Sequence, residues 1–129
     1  KPLPDVKTAL HLIRMLGYKI IILTARAPKY EEATRWNLAH EGLEYDELIF
    51  SPSDEKAKVV RRLSKSYNIV AFADDKLTTC EDVNENTKAN QVYLVDKAHN
   101  KGREVDEDIT RINSVFEVVR NLKDISGRE

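Results

Sequence analysis

Asp74 and Asp75 stand side by side directly behind the apolar run Ile69-Val70-Ala71-Phe72-Ala73. Two adjacent carboxylates repel each other, and a cation between them relieves that repulsion. A hard divalent ion such as Mg²⁺ takes oxygen ligands of this kind. The pair also reads as one aspartate capping the next helix while the other faces water, and the two residues alone leave both readings open. Thr24 closes another apolar run, Ile20-Ile21-Ile22-Leu23, and opens Thr24-Ala25-Arg26. A hydroxyl there, with free backbone N–H groups behind it, suits a phosphate oxygen. It equally suits a threonine that ends a strand and caps the turn. Lys56 follows the run Leu48-Ile49-Phe50 at the expected start of a helix, where an ammonium can neutralise a carboxylate or a bound phosphate; Lys58 is its nearest rival.

Other candidates carry less. Asp106-Glu107-Asp108-Ile109-Thr110 imitates an Asp-x-Asp-x-Thr nucleophile motif, but the residues before it, Lys101 to Val105, are not a buried strand. The run reads as a solvated loop. Cys80 is the sole cysteine, which excludes an intramolecular disulfide and reads as a packed thiol. His11, His40 and His99 have no metal-type spacing with one another or with Cys80; only His99, just behind Val95, falls near a strand end. There is no glycine-rich phosphate loop and no Gly-x-Ser-x-Gly elbow. Trp36 and the tyrosines form no stacking platform by spacing, and packing is their expected role.

The elements that position these residues follow from hydrophobic periodicity. Val6, Ala9, Leu10, Ile13 and Leu16 mark a helix face, with Pro4 in its first turn and Gly17 at its end. Residues 18–23 read as a buried strand, 30–41 as a helix stopped by Gly42, and 48–50 as a short strand. Val59, Val60, Leu63 and Tyr67 mark a third helix. Residues 69–73 read as a second buried strand, about 79–88 as a helix, and 91–95 as a strand. Ser114 and Glu117 make a capping box ahead of a last helix striped by Val115, Val118, Val119 and Leu122. Asp96 to Asn113 read as an extended polar loop.

Helices alternating with strands that are apolar on both faces predict an α/β fold, a parallel sheet with helices on both faces. Ligands of such sheets bind at the carboxyl ends of the strands, where Thr24 and Asp74-Asp75 stand. A chain of 129 residues suits one domain. The net charge of −1, with acids and bases interspersed, gives no electrostatic case for a nucleic-acid groove or an anionic membrane, and leaves a small phosphorylated substrate open. No apolar run approaches the roughly 20 residues that span a bilayer, and Lys1-Pro2-Leu3-Pro4 does not resemble a leader. A cytoplasmic protein is the expectation.

Taken together, these features resemble the haloacid-dehalogenase (HAD) superfamily of phosphohydrolases. Ile-Ile-Ile-Leu-Thr24-Ala25-Arg26 is similar to its second motif, Asp-Glu-Lys56-Ala-Lys-Val-Val to its third, and Val-Ala-Phe-Ala-Asp74-Asp75 to its fourth. Two branches are similar: the 3′-phosphatase domain of phage polynucleotide kinases and the 5′(3′)-deoxyribonucleotidase type. The segments 43–50, 92–100 and 111–114 resemble both. The resemblance implies a three-layer Rossmannoid sheet and a Mg²⁺-dependent phosphomonoesterase acting on a nucleotide or a nucleic-acid end. It implies that Thr24 holds a phosphate oxygen with Ala25 and Arg26 beside substrate, that Lys56 neutralises the nucleophile–phosphate pair, and that Asp74 and Asp75 bind the metal. The family's first motif, an Asp-x-Asp whose first carboxylate attacks phosphorus and whose second serves as acid and base, follows no buried strand in this sequence. In the family that strand lies between the ones ending at Thr24 and at Asp74. The expectation is therefore that a central strand comes from residues outside these 129 or from another chain, and that the strands 18–23 and 69–73 do not pair with each other. The alternative is a catalytically inactive binding or regulatory module of the same fold.

Overall fold

The computed structural model describes residues 4–127. The chain divides into two compact units, one comprising the residues up to Pro52 together with those from Ser114, the other Ser53–Asn113. In the first, helix α1 (Pro4–Met15) leads to strand β1 (Ile21–Thr24), helix α2 (Glu31–His40), strand β2 (Glu47–Phe50) and, from the far end of the sequence, helix α5 (Phe116–Gly127). Strands β1 and β2 run parallel, with Ile22 opposite Leu48 and Thr24 opposite Phe50. Helix α1 packs on α5 and buries Ala9, Ile13, Val118, Val119 and Leu122.

The helix ends in this unit form for the reasons read in the sequence. Gly17 takes φ +97° and Gly42 φ +72°, left-handed conformations that glycine adopts without steric cost. Each closes its helix: Tyr18 N donates to Ile13 O at 3.4 Å, and Leu43 N to Leu38 O at 3.0 Å, the six-residue bond of a helix terminated by glycine. At α5 the capping box is made on both sides. Phe116 N donates to Ser114 Oγ at 3.1 Å, and Ser114 N to Glu117 Oε2 at 3.2 Å.

In the second unit, helix α3 (Lys56–Leu63), strand β3 (Ala71–Asp74), helix α4 (Leu77–Asn86), strand β4 (Gln91–Val95) and strand β5 (Ile109–Ile112) follow one another. All three strands are parallel in the order β3-β4-β5. Helix α4 lies against all three strands, and α3 packs against α4. The core gathers Val59 and Val60 of α3, Leu77, Cys80 and Val83 of α4, Val92, Tyr93 and Leu94 of β4, and Ile109 and Ile112 of β5. With neighbours on both sides, β4 is the most deeply buried strand: Val92, Tyr93 and Leu94 are at most 2 % exposed. Each such apolar side chain contributes about 1.5–3 kcal/mol by leaving water.

Two expectations need correction. The stretch from Asp96 to Asn113 is not one extended loop: it contains a 3₁₀ turn (Ala98–Asn100) and strand β5. The β-branched content of Ile109-Thr110-Arg111-Ile112 was outweighed in the sequence by the charges around it, and pairing with β4 decides the matter. The strands ending at Thr24 and Asp74 are also less buried than their composition predicts. Every residue of β1 is half-buried, and Ala73 of β3 is exposed. Burial of a strand requires neighbours, and among the described residues β1 pairs only with β2, and β3 only with β4. The two belong to separate sheets, as expected; each unit combines parallel strands with helices in an α/β arrangement, and among the described residues one edge of each of these strands is unpaired.

Candidate active site

The second unit brings three of the candidate side chains together. Asp74 is the last residue of β3, and Lys56 is the first of α3. Lys56 Nζ lies 2.8 Å from Asp74 Oδ2, and both side chains are only 10 % exposed. Lys58 is exposed, so Lys56 is the lysine that reaches the acids. Asp74 Oδ1 accepts a hydrogen bond from Lys76 N at 2.9 Å, which folds the carboxylate over the turn into α4. Asp75 is next in the chain, half exposed, with its Oδ2 3.6 Å from His99 Nε2. One ammonium thus balances the more buried of two adjacent carboxylates, and the outer one stays open to solvent.

The strand end beneath the acids is held from several directions. Cys80 Sγ lies 3.5 Å from Asp74 O and 3.4 Å from Tyr93 O. Burial, together with the nearby Asp74 carboxylate, pushes the Cys80 thiol up to about 12. A thiol so placed is not a nucleophile at neutral pH, in agreement with its reading as a packed residue. Asn100, 2 % exposed, donates from Nδ2 to Asp75 O at 2.7 Å and to Val95 O at 2.9 Å. Arg111 of β5 reaches Asn100 Oδ1 at 2.9 Å and Asp96 Oδ1 at 2.6 Å. Sequence reasoning missed Asn100 and Arg111. Both fall within segments that carry the family resemblance, 92–100 and 111–114, but no role was read for either; Asn100 lies a few residues behind the end of β4, and Arg111 in a stretch whose strand went unrecognised.

Thr24, Ala25 and Arg26 belong to the first unit. Thr24 ends β1, and its Oγ1 accepts a hydrogen bond from Arg26 N at 3.2 Å. That bond is the turn-capping role, and it leaves the hydroxyl's own proton for another acceptor. Ala25 and Arg26 are exposed. The Arg26 guanidinium lies 5.8 Å, and Lys29 Nζ 5.1 Å, from the ring centre of Tyr30, which is itself 47 % exposed. Of the other candidates, Asp106, Glu107 and Asp108 are exposed and stand before β5 rather than at the end of a strand. His11 pairs with Glu44 at 2.6 Å, and His40 stacks on Trp36 at 4.7 Å between ring centres.

Among the described residues no group of three or more His, Cys, Asp and Glu side chains is arranged to hold a metal ion. Asp74 and Asp75 offer a partial donor set, two carboxylates on consecutive residues. That set fits a hard cation that completes its shell with water and substrate oxygens. Among the described residues no helix is long and apolar enough to cross a membrane. Comparison with known proteins finds no match among curated proteins or solved structures. A family model does match, over residues 1–106, and it covers both Thr24-Ala25-Arg26 and the Lys56–Asp74 pair. That family supports a phosphatase and gives no support to the expected likeness to the polynucleotide-kinase or deoxyribonucleotidase branch. The chain belongs to the HAD superfamily, subfamily IIIB (acid phosphatase).

Proposed function

We propose that this chain carries the cation- and phosphate-binding part of a Mg²⁺-dependent phosphomonoesterase that acts on a nucleotide or a nucleic-acid terminal phosphate. The observation that supports it most is the buried Lys56 ammonium 2.8 Å from Asp74, with the open Asp75 carboxylate beside it at the end of a parallel strand. In this reading Asp74 and Asp75 hold Mg²⁺, which when bound offsets the negative charge that develops during phosphoryl transfer. Lys56 holds the Asp74 carboxylate in place through the 2.8 Å ion pair and supplies positive charge toward the phosphate. Thr24 donates its hydroxyl proton to a phosphate oxygen while Arg26 N caps the hydroxyl from behind. The attacking aspartate and its acid–base partner come from a strand outside these 129 residues, and an aspartyl-phosphate forms on that strand. Among the described residues β3, which ends in Asp74, has an unpaired edge, and that supports such a strand.

The test is hydrolysis of p-nitrophenyl phosphate, of nucleoside monophosphates and of 3′-phosphorylated oligonucleotides by the full-length protein, with and without a chelator. Chelation and Asp74→Asn are each expected to lower the rate at least 100-fold, on the scale of losing one electrostatic contributor to a transition state, while Asp108→Asn leaves it unchanged. Residues 1–129 alone are expected to be inactive. Activity that survives both chelation and Asp74→Asn overturns the assignment.

A second reading has one observation in its favour: among the described residues none of the strands ends in Asp-x-Asp. A chain that lacks a nucleophile altogether would bind a phosphorylated ligand without turning it over. Binding of phosphate with no hydrolysis by the full-length protein would favour that module.

A further inference from the structure

Asn100 makes every hydrogen bond its side chain is able to make. Its two amide hydrogens go to Asp75 O at 2.7 Å and Val95 O at 2.9 Å. Its carbonyl oxygen accepts from Lys97 N at 3.1 Å and from Arg111 Nη1 at 2.9 Å. Two donors and two acceptor lone pairs are the full capacity of a primary amide, and turning the amide over would set donors against donors. Its orientation is therefore fixed. Arg111 fixes the rest of the turn. Its Nη2 donates to Asn100 O at 3.2 Å and to Arg103 O at 2.6 Å, and its Nη1 also meets Asp96 Oδ1.

The direction of these bonds matters. A buried asparagine whose role is to satisfy its own loop has no need of a partner 25 residues upstream. Here one amide hydrogen goes to the carbonyl of Asp75, in the turn between β3 and α4, and the other to the end of β4. The neighbouring residue, His99, lies against the Asp75 carboxylate from the same turn. Both the backbone and the side chain of Asp75 are thus met by the Ala98–Asn100 turn, while Asp74 is held by Lys56, Lys76 N and Cys80. Two carboxylates on consecutive residues serve one cation only when their relative placement is fixed, and groups behind the ligands do that fixing.

We infer that Asn100, locked by Arg111, is a positioning residue that sets the approach of the Asp75 carboxylate to a divalent cation shared with Asp74. The inference rests on the proposed role of that pair as a metal site. Loss of an outer hydrogen-bond partner of a metal ligand costs roughly 10–100-fold in metal affinity. Asn100→Asp, which turns both donors into acceptors facing carbonyls, belongs in that range. Arg111→Gln, which leaves the asparagine present but unlocked, belongs near its lower end, and Arg111→Lys recovers part of the loss by keeping one donor.

The experiment titrates the metal-free full-length protein with Mn²⁺, followed by its paramagnetic resonance signal, and records thermal midpoints of the same samples. Weakened Mn²⁺ binding in Asn100→Asp and Arg111→Gln, measured well below their midpoints, is the expected result. Lowered midpoints with unchanged Mn²⁺ affinity mean that the network is only structural, and overturn the inference. Should Asn100→Asp fail to fold, Arg111→Gln decides alone, since Arg111 is a partly exposed residue of an edge strand. Asp74→Asn separates the two levels. If it binds Mn²⁺ like the wild type, or if the wild type binds none, the metal reading itself falls. If it loses Mn²⁺ while both network variants keep it, only the positioning role falls.

Discussion

Lys56 and Asp74 are each nearly removed from water, and their energetics differ from those of a surface pair. A buried ion pair is weakly stabilising or neutral as a whole, but removing one partner strands the other in a poorly solvated place, at about 3–5 kcal/mol. Lys56→Met is therefore expected to destabilise the protein by about that amount, and the double variant Lys56→Met/Asp74→Asn to recover much of it. Equilibrium unfolding in denaturant reads both. A double variant as unstable as the sum of the two single ones would show that the charges are not coupled. Lys56 was legible in the sequence as one lysine among many basic residues, with Lys58 two positions away; burial separates them, and burial depends on which face of α3 meets the rest of the unit. Asp74-Asp75 was legible because a strand end is a local feature. Asn100 was not, because its distant partners are Asp75 in the turn behind β3, Val95 at the end of β4 and Arg111 in β5, and periodicity carries no information about contacts between elements.

At the scale of elements, polar side chains tie α1 to the connection between α2 and β2. Arg14 bridges Glu44 at 3.3 Å and Asp46 at 3.0 Å, His11 meets Glu44, and Asp46 Oδ2 accepts from Ile20 N at 2.8 Å, one residue before β1. The His11 hydrogen bond, then Arg14, holds the Glu44 carboxyl below its ordinary 4.5. The Ile20 N–H, then Arg14, does the same to Asp46 relative to 3.8. Both folded values lie below the unfolded ones, so their contribution to stability is present above those ordinary values and is lost as pH falls below them. Asp46→Asn is expected to lower stability at neutral pH, and its deficit against the wild type to shrink as pH falls below 3.8. A deficit that stays constant down to strongly acidic pH would remove the charge from the account. The elements themselves were well read where the signals are local: Gly17 and Gly42 stop their helices, and Ser114 with Glu117 starts the last one. Strand β5 escaped because four residues of mixed polarity become a strand only through pairing with β4.

At the scale of the whole molecule, the described residues form two parallel sheets in which β1 and β3 each have one paired edge and β4 has two. Hydrogen exchange should rank them accordingly in residues 1–129: slow along β4, faster at the unpaired amides of β1 and β3. A full-length chain that supplies a further strand should slow those amides toward the β4 rate. Protection of both edges equal to β4 in residues 1–129 alone would argue against an added strand. The α/β class was legible because alternation of helical and apolar segments reports on layers. The half-burial of β1 and β3 was not, since composition records what a strand is able to bury and not which neighbours arrive. Cys80 gives the molecule one more property. It is the single sulfhydryl of these 129 residues, and its Sγ lies within hydrogen-bond reach of the carbonyls of Asp74 and Tyr93 in a site closed to solvent. The S–H stretching vibration falls in an infrared window free of other protein bands, so residues 1–129 contain one native oscillator beside the backbone of Asp74. Any ion that draws on the Asp74 backbone would retune its frequency, with no label attached.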